Sequence, residues 1–441
     1  MLSKLNSWPK NAASCRAVAA VSVLGLSLVA APVCAGKYAY GEQFVRVGQQ
    51  WADGGPVPLR STTGSDTAAD NGEYQRQVAD LEHRDGPYSD ALAEPLAGLG
   101  RHYRHTGDLE QALRMYRRAL HVVRVNDGLY SERQMPILRD LLEAYRASGD
   151  IQALDDRYDY YFRLYGNGQP PYTEVRLRAA LAYLRWQREA VRLEIDDDES
   201  RRILALYQLN ESLLEAVAAN SSLAPNWYRE LVLSQLRNLY LLEDRFAPTV
   251  EQQGMAAATP LLADEWRQED FNKKRLENMQ RGSLSYGTAL LQELISRTAG
   301  VGDPKELASV YLELGDWYQW HGNDRRAGEQ YEQVVQILSQ ADRQDLLQQW
   351  LGQPVELPDN GAFWQSRPND EPESRTVVKV RYDVSAKGRA RNLQAVVSDS
   401  GSGGKVARLK RKLSQIRFRP RWISGVAEPA SQIQRDYELL N

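Results

Sequence analysis

A fixed offset of 42 residues between like segments constrains this chain more than any other feature. Asp85-Gly86-Pro87-Tyr88-Ser89 returns as Asp127-Gly128-Leu129-Tyr130-Ser131, and Tyr103-Arg104-His105-Thr106-Gly107-Asp108 returns as Tyr145-Arg146-Ala147-Ser148-Gly149-Asp150. Tyr74 is matched by Tyr116 at the same offset. Such a period means a stack, because a single helix pair cannot cover its apolar face and must bury it on its neighbours. Gly100 and Ala112 are small where two helices must touch, and Tyr103 and Tyr116 fill the space between them. Gly107 accepts a left-handed turn and Asp108 caps the helix that follows. Apolar spacing stays helical from about Glu73 to Leu351, interrupted by Pro248, Gly254 and Pro260. The expectation is a mainly α solenoid over residues 72–351 with a loop near 247–265. Between Glu174 and Phe246 the repeat marks fade, although Asn226 to Leu242 is strongly apolar, so divergent helical hairpins are expected there.

The spacing within the repeat resembles the tetratricopeptide (TPR) family. Leu96, Leu99, Gly100, Tyr103, Gly107, Ala112, Tyr116 and Ala119 fall at its signature intervals, and Tyr311, Leu314, Gly315, Tyr318, Gly322, Ala327 and Tyr331 do so again. The 42-residue offset is similar to the longer repeat of kinesin light chains. Arg124 stands where a proline often ends the repeat, and Leu154 replaces a small residue. The resemblance implies that first helices line a concave face, which places Arg101, Arg104, His105, Arg139 and Arg146 in a groove. Arginine's planar fork suits carboxylates, so an acidic peptide or a chain terminus is the expected groove ligand, beside the plainer reading of ordinary surface arginines.

Ahead of the repeats, Lys4, Lys10 and Arg16 precede an apolar run from Ala17 to Val33, and Val33-Cys34-Ala35 presents small residues before Gly36. That is the layout of a secretory signal peptide over 1–35. The run is short for a membrane span of about 20 residues, with a retained inner-membrane anchor as the alternative. Cys15 and Cys34 both precede the expected cut, so the mature chain would hold no thiol for a disulfide, a metal site or a nucleophile. Residues 36–71, rich in Gly and Ser/Thr, carry too little apolar surface to pack and read as a flexible leader. Pro354, Pro358, Pro368 and Pro372 mark a linker over 352–373.

Beyond the linker the period changes. Val378, Val380, Tyr382 and Val384 alternate with Lys379, Arg381 and Asp383, as in a half-buried strand. Lys387-Gly388 makes a turn, Leu393, Ala395 and Val397 suggest a second strand, and Val406, Leu409, Leu413 and Ile416 share a helical face. Ile433, Arg435, Tyr437 and Leu439 alternate again. This strand–strand–helix–strand order, with Gly388-Arg389, Phe418-Arg419-Pro420 and the Gly425 turn, resembles the C-terminal domain of TonB-type energy transducers over residues 374–441. The resemblance implies a small α+β (ββαβ) domain in the periplasm that pairs an exposed strand with a segment of an outer-membrane receptor, as in strand addition. In that family a retained span and a Pro-rich rod precede the domain. Here helical repeats stand in their place, so energy transduction or an accessory role in transport is the alternative function.

From Ser374 to Asn441 there are 15 Lys or Arg against 5 Asp or Glu, within a chain of net charge −3. Lys405, Arg408, Lys410, Arg411 and Lys412 crowd one helix, and Arg417, Arg419 and Arg421 follow it. Such a face attracts anionic surfaces; a solvated helix face or an internal match to the acidic repeats is the alternative. The expected contact residues of this domain are Lys405, Arg408, Arg411, Lys412, Arg435 and Tyr437, with membrane-surface contact open and nucleic acid excluded by export. Sites of chemistry are not evident. His102 and His105 lack a third ligand nearby, Asp196-Asp197-Asp198-Glu199 reads as a helix start rather than a calcium loop, and His83-Arg84-Asp85 and Gly404-Lys405 miss the rest of their motifs. The chain is therefore expected to be a non-enzymatic periplasmic scaffold of a Gram-negative bacterium without cofactor or metal. An envelope enzyme with a site in the divergent middle region is the weaker alternative.

Overall fold

The computed structural model of the chain describes residues 44–46, 71–196, 199–245, 268–300, 302–363, 376–397 and 403–439. A short strand, β1 (Phe44–Arg46), precedes twelve helices: α1 (Asn71–Asp85), α2 (Ala93–His105), α3 (Leu109–Asp127), α4 (Gln134–Ser148), α5 (Ile151–Leu164), α6 (Glu174–Arg192), α7 (Glu199–Ala218), α8 (Pro225–Arg245), α9 (Gln268–Ala299), α10 (Pro304–Trp320), α11 (Asp324–Gln340) and α12 (Gln344–Leu351). Each helix after α1 packs on its neighbour in sequence, and α9 lies against both α7 and α8. The expected loop near 247–265 lies outside the described residues, as do residues 1–43.

The repeat chemistry acts as its spacing requires. A Cβ on Gly100 would stand 2.5 Å from the Tyr116 ring, and one on Gly315 would stand 2.5 Å from the Tyr331 ring. Both tyrosines are essentially inaccessible, so a ring seats in the gap that the missing side chain leaves. Gly149 closes α4 in a left-handed conformation, and the side chains of Asp108, Asp150 and Asn323 each accept from a backbone N–H in the first turn of the next helix. Two apolar cores result, one over α1 to α6 and one over α5 to α12. They meet in α6, which turns Ala179, Trp186 and Ala190 to the first and Leu177, Ala180, Leu184 and Val191 to the second.

After α12 come β2 (Val355–Glu356), β3 (Thr376–Val384), β4 (Ala390–Val397), α13 (Gly403–Gln415), β5 (Phe418–Arg419), β6 (Arg421–Ile423), β7 (Val426–Glu428) and β8 (Ala430–Leu439). The main sheet is antiparallel in the order β1-β8-β3-β4, with Val378 opposite Tyr437 and Val380 opposite Ala395. Val406, Leu409 and Leu413 of α13 bury against Val378, Val380, Tyr382, Phe418, Ile433 and Tyr437. A mainly α stack followed by a small α+β domain is thus the architecture. Two stretches differ from expectation. Part of the expected linker is packed, since β2 pairs with β5 and Leu357, Asn360 and Ala362 are buried. Part of the expected leader is a strand, since β1 pairs with β8.

The C-terminal domain joins the stack through the Phe418-Arg419-Pro420 segment. Phe418 lies in the domain's own core. Arg419, 3 % exposed, reaches out of it to Asp316 of α10, 2 % exposed. Its Nε donates to Asp316 Oδ1 at 2.8 Å, Nη2 donates to Oδ2, and Nη1 donates to the Trp350 carbonyl at 3.1 Å. Tyr331 donates to the same Asp316 Oδ1 at 2.9 Å. Trp422 packs its ring edge-on against Tyr331, with centroids 5.7 Å apart. Removing one partner of a buried ion pair strands the other, so Arg419→Ala is expected to cost about 3–5 kcal/mol in denaturant unfolding. Arg419→Met with Asp316→Leu should recover most of that loss, because the buried charge goes with its partner.

Candidate functional site

The arginines expected in a groove are mostly committed to the stack itself. Arg101 donates to Glu94 at 2.6 Å within α2 and to Asp140 of α4 at 3.4 Å. Burial would lower its pKa, but Glu94 and Asp140 outweigh burial and raise it. Asp140 is pushed above its ordinary value by burial, against the pull of Arg104 and Arg101. Arg139 is half-buried and donates toward the Tyr165 hydroxyl at 3.5 Å. Arg146 corrects the expectation most sharply. It is 7 % exposed, pairs with Glu189 of α6 at 2.5 Å and lies over the Trp186 ring at 5.4 Å. Its fork already grips a carboxylate, and that carboxylate belongs to the fold. Arg104 is half-buried and His105 is exposed at the end of α2.

The repeated turns present a different surface. Tyr88 is 57 % exposed, Leu129 61 %, Tyr130 78 % and Val125 54 %. The two turns are neighbours. Asn126 donates to the Tyr88 carbonyl at 2.9 Å, and Arg133 bridges Asp127 at 2.7 Å and Asp90 at 2.9 Å. Tyr160 supports the second turn by donating to the Leu129 carbonyl at 2.9 Å. Tyr88 and Tyr130 carry the 42-residue offset noted in the sequence. The signal that could have marked them as a surface was there: a tyrosine recurring in a turn lies outside the apolar period of the helices, and Tyr88 stays 57 % exposed although it meets His121 of α3 edge-on at 5.7 Å.

The basic residues of the C-terminal domain divide by partner. Arg419 is buried on Asp316, Arg417 lies 3.9 Å from Asp324, and Arg421 donates to Glu428 at 3.2 Å. On α13, Arg408, Arg411 and Lys412 are exposed and Lys405 is half-buried, with Lys412 4.0 Å from Asp244. Arg435 is half-buried. Tyr437 corrects its expected role as a contact residue: it is 1 % exposed and its hydroxyl donates to Glu356 at 2.5 Å. Alternation already placed it inward, on the face of Ile433.

Elsewhere, Asp196 pairs with Arg202 and Glu199 lies 3.5 Å from Arg245, so both flank the start of α7 as ordinary ion pairs. His102 packs edge-on against Tyr103 at 5.8 Å. Among the described residues no group of three or more His, Cys, Asp or Glu could hold a metal ion, and no helix is long and apolar enough to cross a membrane. A cleft of about 380 Å³ lies between the α7–α8 turn and the facing ends of α9 and α10, lined by Tyr228, Arg229, Arg297 and Glu306 among others. Arg297 there covers the Tyr228 ring at 4.2 Å and donates to Glu293 at 2.8 Å.

Two expectations follow from these environments. Arg146→Ala removes the guanidinium that pairs with the buried Glu189 carboxylate and should cost about 3–5 kcal/mol. His105→Ala, at the exposed end of α2, should stay within about 0.5 kcal/mol, and paired thermal and denaturant melts separate the two. Beside the seam, Glu313 accepts from Asn360 at 3.2 Å, and burial, with Asp316 adding, pushes its carboxyl from 4.5 up to about 7. Between those values the folded chain holds a proton that the unfolded chain has released. This contribution to stability is therefore full below about 4.5 and falls as pH rises through 7. Glu313→Gln should flatten the slope of stability across that window by on the order of 1–3 kcal/mol, read from unfolding curves of both proteins across the window.

No protein-family model matches the chain, and no curated protein matches it. Among solved structures, a similar chain is described as a circular tandem repeat protein with novel repeat topology and enhanced subunit contact surfaces. The likeness has 13 % sequence identity and a TM-score of 0.28, and covers 63 % of this chain and 67 % of that one.

Proposed function

We propose that this chain is an exported, non-enzymatic scaffold of the periplasm, whose repeats dock a protein or peptide partner while the basic C-terminal domain holds a second partner at the cell envelope. The exposed aromatic turns carry this reading. Tyr88, Leu129 and Tyr130 on neighbouring turns, with Val125 near the end of α3, stand more than half exposed; clustered exposed apolar residues mark interaction surfaces, and tyrosine is enriched among the residues that carry binding energy at protein interfaces. Arg133, Asp90 and Asp127 give the patch a charged rim, the composition of a recognition surface. Seating of Tyr116 and Tyr331 over Gly100 and Gly315 supports repeats of the tetratricopeptide kind. A β8-β3-β4 sheet with α13 on one face supports a TonB-like C-terminal domain, and favours a TonB-like transport component as the second reading.

The test is photo-crosslinking in cells from positions 88 and 130, with mass spectrometry of the products. A defined polypeptide partner is expected from both positions and not from Arg325, a comparably exposed site on α11. Tyr88→Ser with Tyr130→Ser should melt like the parent yet lose that partner, each truncated anchor costing about 1–2 kcal/mol of binding. Crosslinks no stronger than those from position 325 would sink the reading. Fractionation separates the alternatives: a soluble processed chain fits the scaffold, and a full-length inner-membrane chain fits the transducer.

A further inference from the structure

The cleft between the α7–α8 turn and the ends of α9 and α10 has the make-up of a small-molecule site. Its volume of about 380 Å³ falls within the range of about 300–1,000 Å³ in which proteins hold small ligands. Val217, Leu223 and Leu294 give it an aliphatic wall. Arg297 is already engaged, since it covers the Tyr228 ring at 4.2 Å and donates to Glu293 at 2.8 Å. Two other charged residues of the lining are not. Arg229, near the start of α8, and Glu306, in the first turn of α10, are both half-buried. Arg229 Nη2 donates to Ser309 Oγ at 2.9 Å, and Ser309 Oγ donates to the Glu306 carbonyl at 2.7 Å. The serine thus holds the guanidinium about one helical turn from Glu306. The two charges nonetheless do not pair, and neither has another ion-pair partner among the described residues. Charges that lose part of their hydration are ordinarily paired. A cation and a carboxylate that share one cleft without meeting are complementary to a molecule carrying both charges. α8 opens on the cleft with Pro225 and Asn226 and has no acid in its first turn, so the positive end of its dipole adds to Arg229.

We propose that this cleft binds a small aliphatic zwitterion, an α-amino acid or a dipeptide with both ends free. Its carboxylate meets Arg229, its ammonium meets Glu306, and its side chain lies on Val217, Leu223 and Leu294. A guanidinium can grip a carboxylate through two parallel N–H donors, and Arg229 gives only Nη2 to Ser309. A ligand without the cationic end leaves Glu306 unmatched, and one without the anionic end leaves Arg229 unmatched, so the cleft selects molecules that have both. The inference is independent of whether the turns at Tyr88 and Tyr130 dock a partner.

Titration calorimetry of the full chain with L-leucine and with L-leucyl-L-leucine tests it. At least one of the two should bind saturably, with a single site per chain. N-acetylation of that ligand removes its ammonium and amidation removes its carboxylate, and each change should weaken binding at least about tenfold. Glycine or glycylglycine, which leaves the aliphatic wall bare, should also bind at least about tenfold more weakly. In Glu306→Gln the free and N-acetylated ligands should bind alike, because the group that told them apart is gone. That variant should keep the parent's affinity for the N-acetylated ligand, which an unfolded chain could not. In Arg229→Gln the free and amidated ligands should bind alike. Absence of saturable binding by both zwitterions, an N-acetylated ligand that binds the parent as tightly as the free one, or discrimination that persists in either variant would each overturn the proposal.

Discussion

Tyr331 stands where the two parts of this architecture become one. Its ring fills the space over Gly315, the small-against-large contact that closes the last full hairpin. Its hydroxyl then donates to Asp316, the next residue of α10, and Asp316 takes Arg419 from the C-terminal domain. One side chain thus serves the repeat contact and orients the acid that anchors the sheet. Displacing the ring would open an apolar cavity and also free the carboxylate to turn away from its guanidinium. The contact at Gly100 and Tyr116 has the same geometry, but there Arg101 reaches Asp140 of α4 from within the stack. The same hairpin device is followed by an internal fastener in one place and by a domain joint in the other.

What could be read from the sequence followed the range of the interactions. Gly100 and Tyr116 were legible because a helix pair repeats its own short-range geometry, and the turns at Gly107 and Gly149 because left-handed backbone favours glycine. The strands of the C-terminal domain and the inward face of α13 were legible from their periods. Arg146 was not, because its partner Glu189 lies 43 residues on, in a helix whose repeat marks have faded. The segment after Gly352 was read as a linker because Pro354 and Pro358 oppose regular structure. The two residues after Pro354, Val355 and Glu356, nonetheless pair with β5. β1 left almost no trace, since three residues in a polar leader make no period and the strand they pair with is at the far end of the chain.

Buried ion pairs recur at joints between elements: Arg146 with Glu189 between α4 and α6, Arg202 with Asp155 between α7 and α5, Arg419 with Asp316 between domain and stack. Desolvation offsets much of the attraction in each, so the pairs contribute less net stability than apolar packing of the same volume would. Their value here is register. Similar hairpins with similar apolar faces could stack in shifted alignments at little cost. A guanidinium that meets its carboxylate in only one alignment makes every shifted alignment expensive, because it leaves two buried charges apart.

The same economy decides how much of the C-terminal excess of positive charge can act at a distance. Contact pairs such as Arg419 with Asp316 project little field, and Arg417 and Arg421 sit beside acids of their own. Screening over about 8 Å in physiological salt removes most of what remains of such pairs. The field that reaches solvent therefore comes from the exposed basic residues of the sheet, Lys379, Arg381 and Arg391, and from the outward side of α13, where Arg408, Arg411 and Lys412 are exposed and Lys412 stands 4.0 Å from Asp244. Because the seam at Arg419 holds the domain to α10, that basic side is carried on a fixed bearing relative to the last hairpins. The segment Phe418-Arg419-Pro420 thus sorts the domain's arginines into those that hold the domain and those that can meet an anionic surface.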